Sequence, residues 1–275
     1  MSEYTGLYYS ENTILKEVAS FDTALLGTGI TLYEVIRIHD NICLFLEDHL
    51  QRLEESVHLS GFTYAIDPAL IRGILERLIR QNRFHVGNIR LVLHFPTVGH
   101  PCLYSYFIPH AYPTLRMYAT GVDADLLNVV RLNPNVKRMV PVIREEASQF
   151  IRSKNLYEAL LVKDNSITEG SKSNVFFVKG EWVLTPPAHQ VLKGITRKKV
   201  FEICNKLNYK LIEKDISINQ LTEMHAAFLT GTSPKILALR KIGTVNYDVK
   251  NPIIISLAEA YDDLIRAYIQ QQKGF

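Results

Sequence analysis

The feature that most constrains this chain is the order of its apolar patterns. Strand-like runs outnumber amphipathic helices, and neighbouring strands often read as antiparallel. TLYEVIRI (31–38) and NICLFL (41–46) are rich in β-branched and aromatic residues, and His39-Asp40-Asn41 between them reads as a hairpin. Over residues 47–59 a helical period sets Leu46, Leu50, Leu53 and Val57 on one face. Asp67-Pro68 opens a second helix, with Asp as N-cap, Pro at the first helical position and Leu70, Ile74 and Leu78 on its apolar stripe. NIRLVLHF (88–95) and LYSYFI (103–108) follow as strands.

The two prolines of Pro109-His110-Ala111-Tyr112-Pro113 mark the best boundary, and TLRMYAT (114–120) beyond them is again strand-like. A helix over about 141–155, the strand YEALLVK, a hairpin of NVFFV and EWVLT turning at Lys179-Gly180, a helix over 196–207, a strand ending in AAFLTGT and a closing helix over 255–271 complete the pattern. The class expected is α+β in two domains, 1–111 and 112–275, without the regular βα alternation of a Rossmann fold or a TIM barrel.

Composition narrows the function. With 275 residues, 47% of them hydrophobic and 21% charged, the chain can bury real cores and is not a disordered one. A formal charge of +3 is too small for a protein that coats nucleic acid, yet suits a small anionic ligand. Cys43, Cys102 and Cys204 are far apart and form no CxxC pair, and the nine histidines show no ligand spacing, so neither a disulfide framework nor a metal site is expected. No apolar stretch approaches a membrane span, and MSEYTGLYYSENTILK lacks a signal-type core; the expectation is a soluble, cytoplasmic protein.

Three loops could carry chemistry. Leu192-Lys193-Gly194-Ile195-Thr196-Arg197 precedes a helix, so Gly194 would let a ligand approach and the N–H groups of Ile195 and Thr196 would face an anion. Thr230-Gly231-Thr232-Ser233-Pro234 ends an apolar strand and could form a backbone nest. Thr168-Glu169-Gly170-Ser171-Lys172-Ser173-Asn174 joins two strands. Taken singly, each is also compatible with an ordinary cap or turn. Walker A, GxGxxG and GxSxG are absent.

Taken in order, the segments resemble class IV aminotransferases, the fold type IV pyridoxal-phosphate enzymes that include branched-chain aminotransferases, D-amino acid aminotransferases and 4-amino-4-deoxychorismate lyases. TLYEVIRI, FLEDHLQRLEESV, NVK, EALLVKDNSITEGSKSNVFFVKGEWVLTPP, VLKGITR and FLTGT run in family order from about residue 31 to 232. The resemblance implies a small N-terminal α/β domain and a larger, pseudo-barrel-like C-terminal α/β domain, with pyridoxal 5'-phosphate as cofactor.

It also implies roles. Lys137 stands where the family places the lysine whose amine forms a Schiff base with the cofactor aldehyde, with Arg131, Arg138 and Arg144 close by in sequence. Glu169, 32 positions later, matches the acidic partner of the pyridine nitrogen. Arg52 within HLQRL matches a phosphate-contacting arginine. Ile195, Thr196, Gly231 and Thr232, with Gly194, would complete the phosphate cup; Leu192 would pack on a ring face, and Ser173 and Asn174 would make polar contacts near the ring. Tyr33 matches a position facing substrate, and Arg37, Arg90 and Arg138 are candidate anchors for a substrate carboxylate.

The activity so implied is transfer of an amino group between an amino acid and a 2-oxo acid, with Lys137 shuttling the proton, in a homodimer that engages neither nucleic acid nor membrane. The alternative on the same scaffold is the lyase, and a third reading is a non-catalytic protein that binds cofactor or metabolite. The substrate branch stays open. HFPTVGHPC (94–102) holds no arginine where the D-amino acid branch has one, LVLHFP lacks the Ser-Arg-Gly-type end of the lyases, and Val142 replaces the tyrosine of the branched-chain branch.

Overall fold

A computed structural model describes residues 4–274. Residues 1–3, part of the opening stretch read for a signal, and Phe275 lie outside the described residues. The chain divides into two compact units: one holds residues up to Ala111, Val136–Met139 and residues from Ile265 on, and the other holds Tyr112–Asn135 and Val140–Leu264.

In the first unit, β1 (Thr5–Glu11), β2 (Ile14–Glu17), β3 (Ile30–His39), β4 (Ile42–Cys43), β5 (Val86–Phe95) and β6 (Cys102–Ile108) form an antiparallel sheet in the order β2-β1-β6-β5-β3-β4. Asp40 and Asn41 both adopt positive φ, the geometry that suits a tight turn to the twist of the flanking strands. The second strand of that hairpin is shorter than its apolar run suggests. Pairing stops at Cys43, Phe45 turns left-handed, and Leu46 opens helix α1 (Leu46–Leu59). Asp67 caps helix α2 (Pro68–Asn82) by accepting from the N–H groups of Ala69 and Leu70. Leu50, Leu53, Val57, Ile74 and Leu78 from these helices pack with Leu32, Ile36, Ile38, Ile89 and Leu91 from the strands in one core. Full burial of each such side chain contributes about 1.5–3 kcal/mol.

The second unit begins with α3 (Leu115–Thr120), where a strand was expected. Thr114 accepts from the N–H of Met117, and Gly121 at φ 67° ends the turn, so local capping decides the conformation. After it come β7 (Val122–Leu127), α4 (Pro141–Lys154), β8 (Glu158–Lys163), β9 (Ser166–Gly170), β10 (Asn174–Lys179), β11 (Trp182–Thr185), α5 (Ile195–Lys206), β12 (Lys210–Glu213), β13 (Ile216–Ser217), β14 (Ala226–Gly231), β15 (Lys235–Ile242), β16 (Val245–Asn246) and α6 (Pro252–Lys273). The strands run β12-β11-β10-β14-β15-β7-β8-β9-β13, with β16 on β15. Pairing is parallel at β11/β12, β15/β7 and β7/β8. This mixed sheet is the α+β pattern expected, and Val175, Phe177, Leu229, Leu237 and Leu239 are among the residues of its core. Among the described residues no helix is long and apolar enough to cross a membrane, and no group of His, Cys, Asp or Glu could hold a metal ion.

Candidate active site

In the second unit the predicted residues converge on Leu192. Glu169 lies within β9 rather than in a surface loop, because pairing with β8 continues to Gly170, opposite Leu160. Its side chain is 3% exposed. Oε2 of Glu169 accepts from the N–H of Leu192 at 3.0 Å, and Arg131 Nε stands 3.3 Å from Oε1. Asn174 starts β10 and donates from Nδ2 to the carbonyl of Leu192 at 2.8 Å. Side chains from either side of a three-residue turn therefore hold the two ends of one backbone residue.

Gly194 is the N-cap of α5 and offers no side-chain oxygen to the first turn, so those N–H groups point outward with the helix dipole behind them. A Cβ at Gly194 would fall on Asn174 Oδ1. Asn174 pairs in register with Thr230, whose Oγ1 is buried and has no hydrogen-bond partner. That register ties the start of α5 to the end of β14, where Gly231 and Thr232 follow, both half-buried. Ile195 and Thr196 are buried, and Thr196 Oγ1 lies 3.3 Å from the hydroxyl of Tyr261. Ser173 is buried and donates from Oγ to Glu158 at 2.7 Å.

In the first unit, residues 137–139 run along β3. Because β4 pairs only with the Ile38–His39 end of β3, the other end of that edge is taken by the returning segment. Leu32 bridges Arg138, Tyr33 donates to the carbonyl of Lys137 at 3.1 Å, and Met139 donates to that of Thr31 at 3.0 Å. The N–H of Lys137 donates to Ser56 Oγ on α1 at 3.3 Å. Lys137 is half-buried, with Nζ 4.9 Å from the centroid of the Tyr33 ring. Arg138 is exposed.

Arg90, on β5, is buried, with its guanidinium carbon 5.8 Å from the ring centroids of both Tyr33 and Tyr106. Its Nε has no hydrogen-bond partner. Arg37 is half-buried on β3.

Arg52 is held on the helix-covered side of the sheet, where its Nε and Nη2 donate to Glu34 at 2.8 and 2.5 Å while His49 Nδ1 lies 2.7 Å from the same carboxylate. Burial pushes the Glu34 carboxyl up, but the charge and hydrogen bonds of Arg52 and the His49 hydrogen bond outweigh it and hold the pKa at about 2. Burial likewise depresses His49, against the opposing pull of Glu34.

Sequence reasoning singled out neither Glu158 nor Glu34, and it read Arg131 only as a cation near Lys137. Apart from the N–H of Ala159 next to Glu158, their partners lie 13 or more residues away, beyond any local spacing rule. His94 is buried on β5, with Nδ1 2.9 Å from Thr31 Oγ1.

Comparison with known proteins defines the class. The sequence profile of the family described as amino-transferase class IV matches residues 31–242. The chain belongs to this family. It is 28% identical over 254 residues to the D-alanine aminotransferase of Bacillus licheniformis, covering 87% of this chain and 88% of that protein. The branched-chain aminotransferase of Thermoproteus uzoniensis, solved with norvaline, shares the fold at a TM-score of 0.84 and 23% identity over 96% of each chain. A Legionella pneumophila protein assigned as a 4-amino-4-deoxychorismate lyase aligns at 0.79 and 20% identity, over 86% of this chain and 91% of that one.

Proposed function

We propose that this protein is a pyridoxal-phosphate-dependent aminotransferase that moves an amino group between an amino acid and a 2-oxo acid. The observation that carries the reading is the meeting of Glu169 and Asn174 on Leu192, with Gly194 and Thr230 both placed against Asn174. A buried carboxylate, an N-terminal helix turn without a side-chain cap, a glycine that leaves room for the Asn174 amide and an orphaned buried hydroxyl suit a phosphorylated pyridine ring. When bound, pyridoxal phosphate supplies an aldehyde that accepts amino groups and a ring that spreads the electron pair left on substrate carbon.

The residues divide the remaining work. Glu169 would hold a proton on the ring nitrogen. Ile195, Thr196, Gly231 and Thr232 would bind the phosphate through N–H and hydroxyl donors, and Arg52 would add a guanidinium kept in one orientation by Glu34. Leu192 would pack on the ring face, with Ser173 and Asn174 at its polar edge. Lys137 would hold the cofactor through Nζ, yield to the incoming amino group, and then carry the proton leaving substrate Cα. Arg90, with its unpartnered Nε between two tyrosine rings, is the best placed of the three candidate arginines to take a substrate carboxylate. The same reading gives the cofactor-holding role to the larger unit and takes the protein as a cytoplasmic homodimer without nucleic-acid or membrane partners.

The test is the absorbance spectrum of protein mixed with pyridoxal phosphate, before and after borohydride, beside Lys137→Ala. A visible or near-ultraviolet band that borohydride removes and the substitution abolishes is expected; absence of any band leaves a binding protein. Loss of the band on adding D- or L-amino acids identifies the amino donor. Pyruvate released only from aminodeoxychorismate moves the reading to the lyase.

A further inference from the structure

We infer that Glu158 is a positioning residue that fixes the Ser171–Ser173 turn, and through it the distance between Glu169 and the phosphate-facing end of α5. The inference rests on the aminotransferase reading above. Glu158 begins β8 and is 3% exposed. Among the described residues no cation forms an ion pair with it, and neutral donors surround it instead. Its Oε1 accepts from the N–H groups of Ala159 and Ser171 at 2.9 and 3.1 Å and from Ser171 Oγ at 2.6 Å. Its Oε2 accepts from Ser173 Oγ at 2.7 Å and from the N–H of Lys172 at 3.4 Å. All three turn residues thus donate to one carboxylate.

The turn is closed further by the N–H of Gly170, which donates to the carbonyl of Ser173 at 2.8 Å. Gly170 is required there, since a Cβ would fall on Ser173 Oγ and come within 3.0 Å of the Glu158 carboxyl. Glu169 precedes this closed turn and Asn174 follows it, and they grip opposite ends of Leu192, two residues before Gly194. A shift in the turn therefore changes the relation between the carboxylate proposed for the ring nitrogen and the amides proposed for the phosphate. An anionic acceptor is needed because backbone N–H groups cannot reverse their polarity. An amide at position 158 would turn an N–H against at least one of them.

The experiment uses the full chain carrying Glu158→Gln, with Ser171→Ala as a milder change that removes one hydroxyl donor and spares the carboxylate. Dissociation constants for pyridoxal phosphate come from fluorescence titration, and thermal unfolding is followed with and without the cofactor. The expected result is an affinity about tenfold weaker in Glu158→Gln, where buried donors lose their acceptor, and about fivefold weaker in Ser171→Ala, where the buried carboxylate loses one donor. A shifted absorbance maximum should accompany the loss. If Glu158→Gln does not fold, Ser171→Ala decides.

Both variants binding with the wild-type constant and band, whatever their unfolding temperatures, overturn the inference and leave Glu158 a purely structural residue. A wild-type protein with no band sensitive to Lys137→Ala overturns the aminotransferase reading itself, and this inference with it.

Discussion

Asn174 stands directly across from Thr230 in the antiparallel pair of β10 and β14. From that position its side chain reaches out of the sheet, 2.8 Å from the carbonyl of Leu192, and occupies the space a Cβ at Gly194 would need. One residue thus couples the sheet, the segment before α5 and the first turn of that helix.

Gly194→Ala tests this coupling. The glycine has φ −63° and ψ 143°, which alanine adopts freely, so the effect is steric rather than conformational. The added methyl must displace the Asn174 amide and break its bond to Leu192. We expect a loss of about 1–3 kcal/mol in unfolding free energy, together with weaker binding of pyridoxal phosphate. Denaturant titration and cofactor titration check both; unchanged values in both would show that Asn174 relocates without consequence.

Acid should destabilise the protein in two stages. Below the unfolded-state value of 6.5, protonation of His49 is resisted in the folded protein by its burial, so stability present above 6.5 declines as pH falls through the depressed folded value. Glu34 gives a second loss, starting below its ordinary 4.5 and continuing down to about 2. The melting temperature measured from pH 8 to pH 4 should be flat above 6.5 and fall below it, and His49→Gln should flatten the upper stage. A variant with the same slope as wild type between pH 6.5 and 5 excludes His49 as the source.

Thiol chemistry should separate the cysteines. Burial pushes both Cys43 and Cys204 up to about 12, and both are shielded from solvent, whereas Cys102 is only half-buried. A thiolate-selective reagent at neutral pH should label Cys102 in the native protein and all three thiols after denaturation. Peptide mapping identifies the site; rapid native labelling of Cys43 or Cys204 contradicts the packing described here.

The elements that rest on local chemistry were legible in the sequence. Asp40-Asn41 supplied the positive φ of a hairpin, and Asp67-Pro68 supplied an N-cap and a first helical residue. α3 escaped because its apolar residues form no buried face, with Leu115 89% exposed, although Thr114 was present as its cap. Glu169 sits in a stretch whose composition suggests a loop, yet only three residues actually turn, because a ladder with β8 holds the residues before them and one with β14 holds Asn174 after them. The supporting groups were not legible at all: Arg131 meets Glu169 across 38 positions, and Glu158 meets Ser173 across 15, distances that only the folded sheet closes.

The way residues 137–139 complete the edge of β3 bears on how the protein is made. On the ribosome, all six strands of the first sheet have been synthesised by Ile108, but the Thr31–Tyr33 edge keeps bare amides until some thirty more residues emerge. The segment from Ile265 on, whose Tyr268 bonds Leu46 and Glu47 of α1, is made later still. A nascent chain therefore carries an open, sticky strand border until residues 137–139 emerge, and products truncated before them should be clients of chaperones rather than free-standing domains.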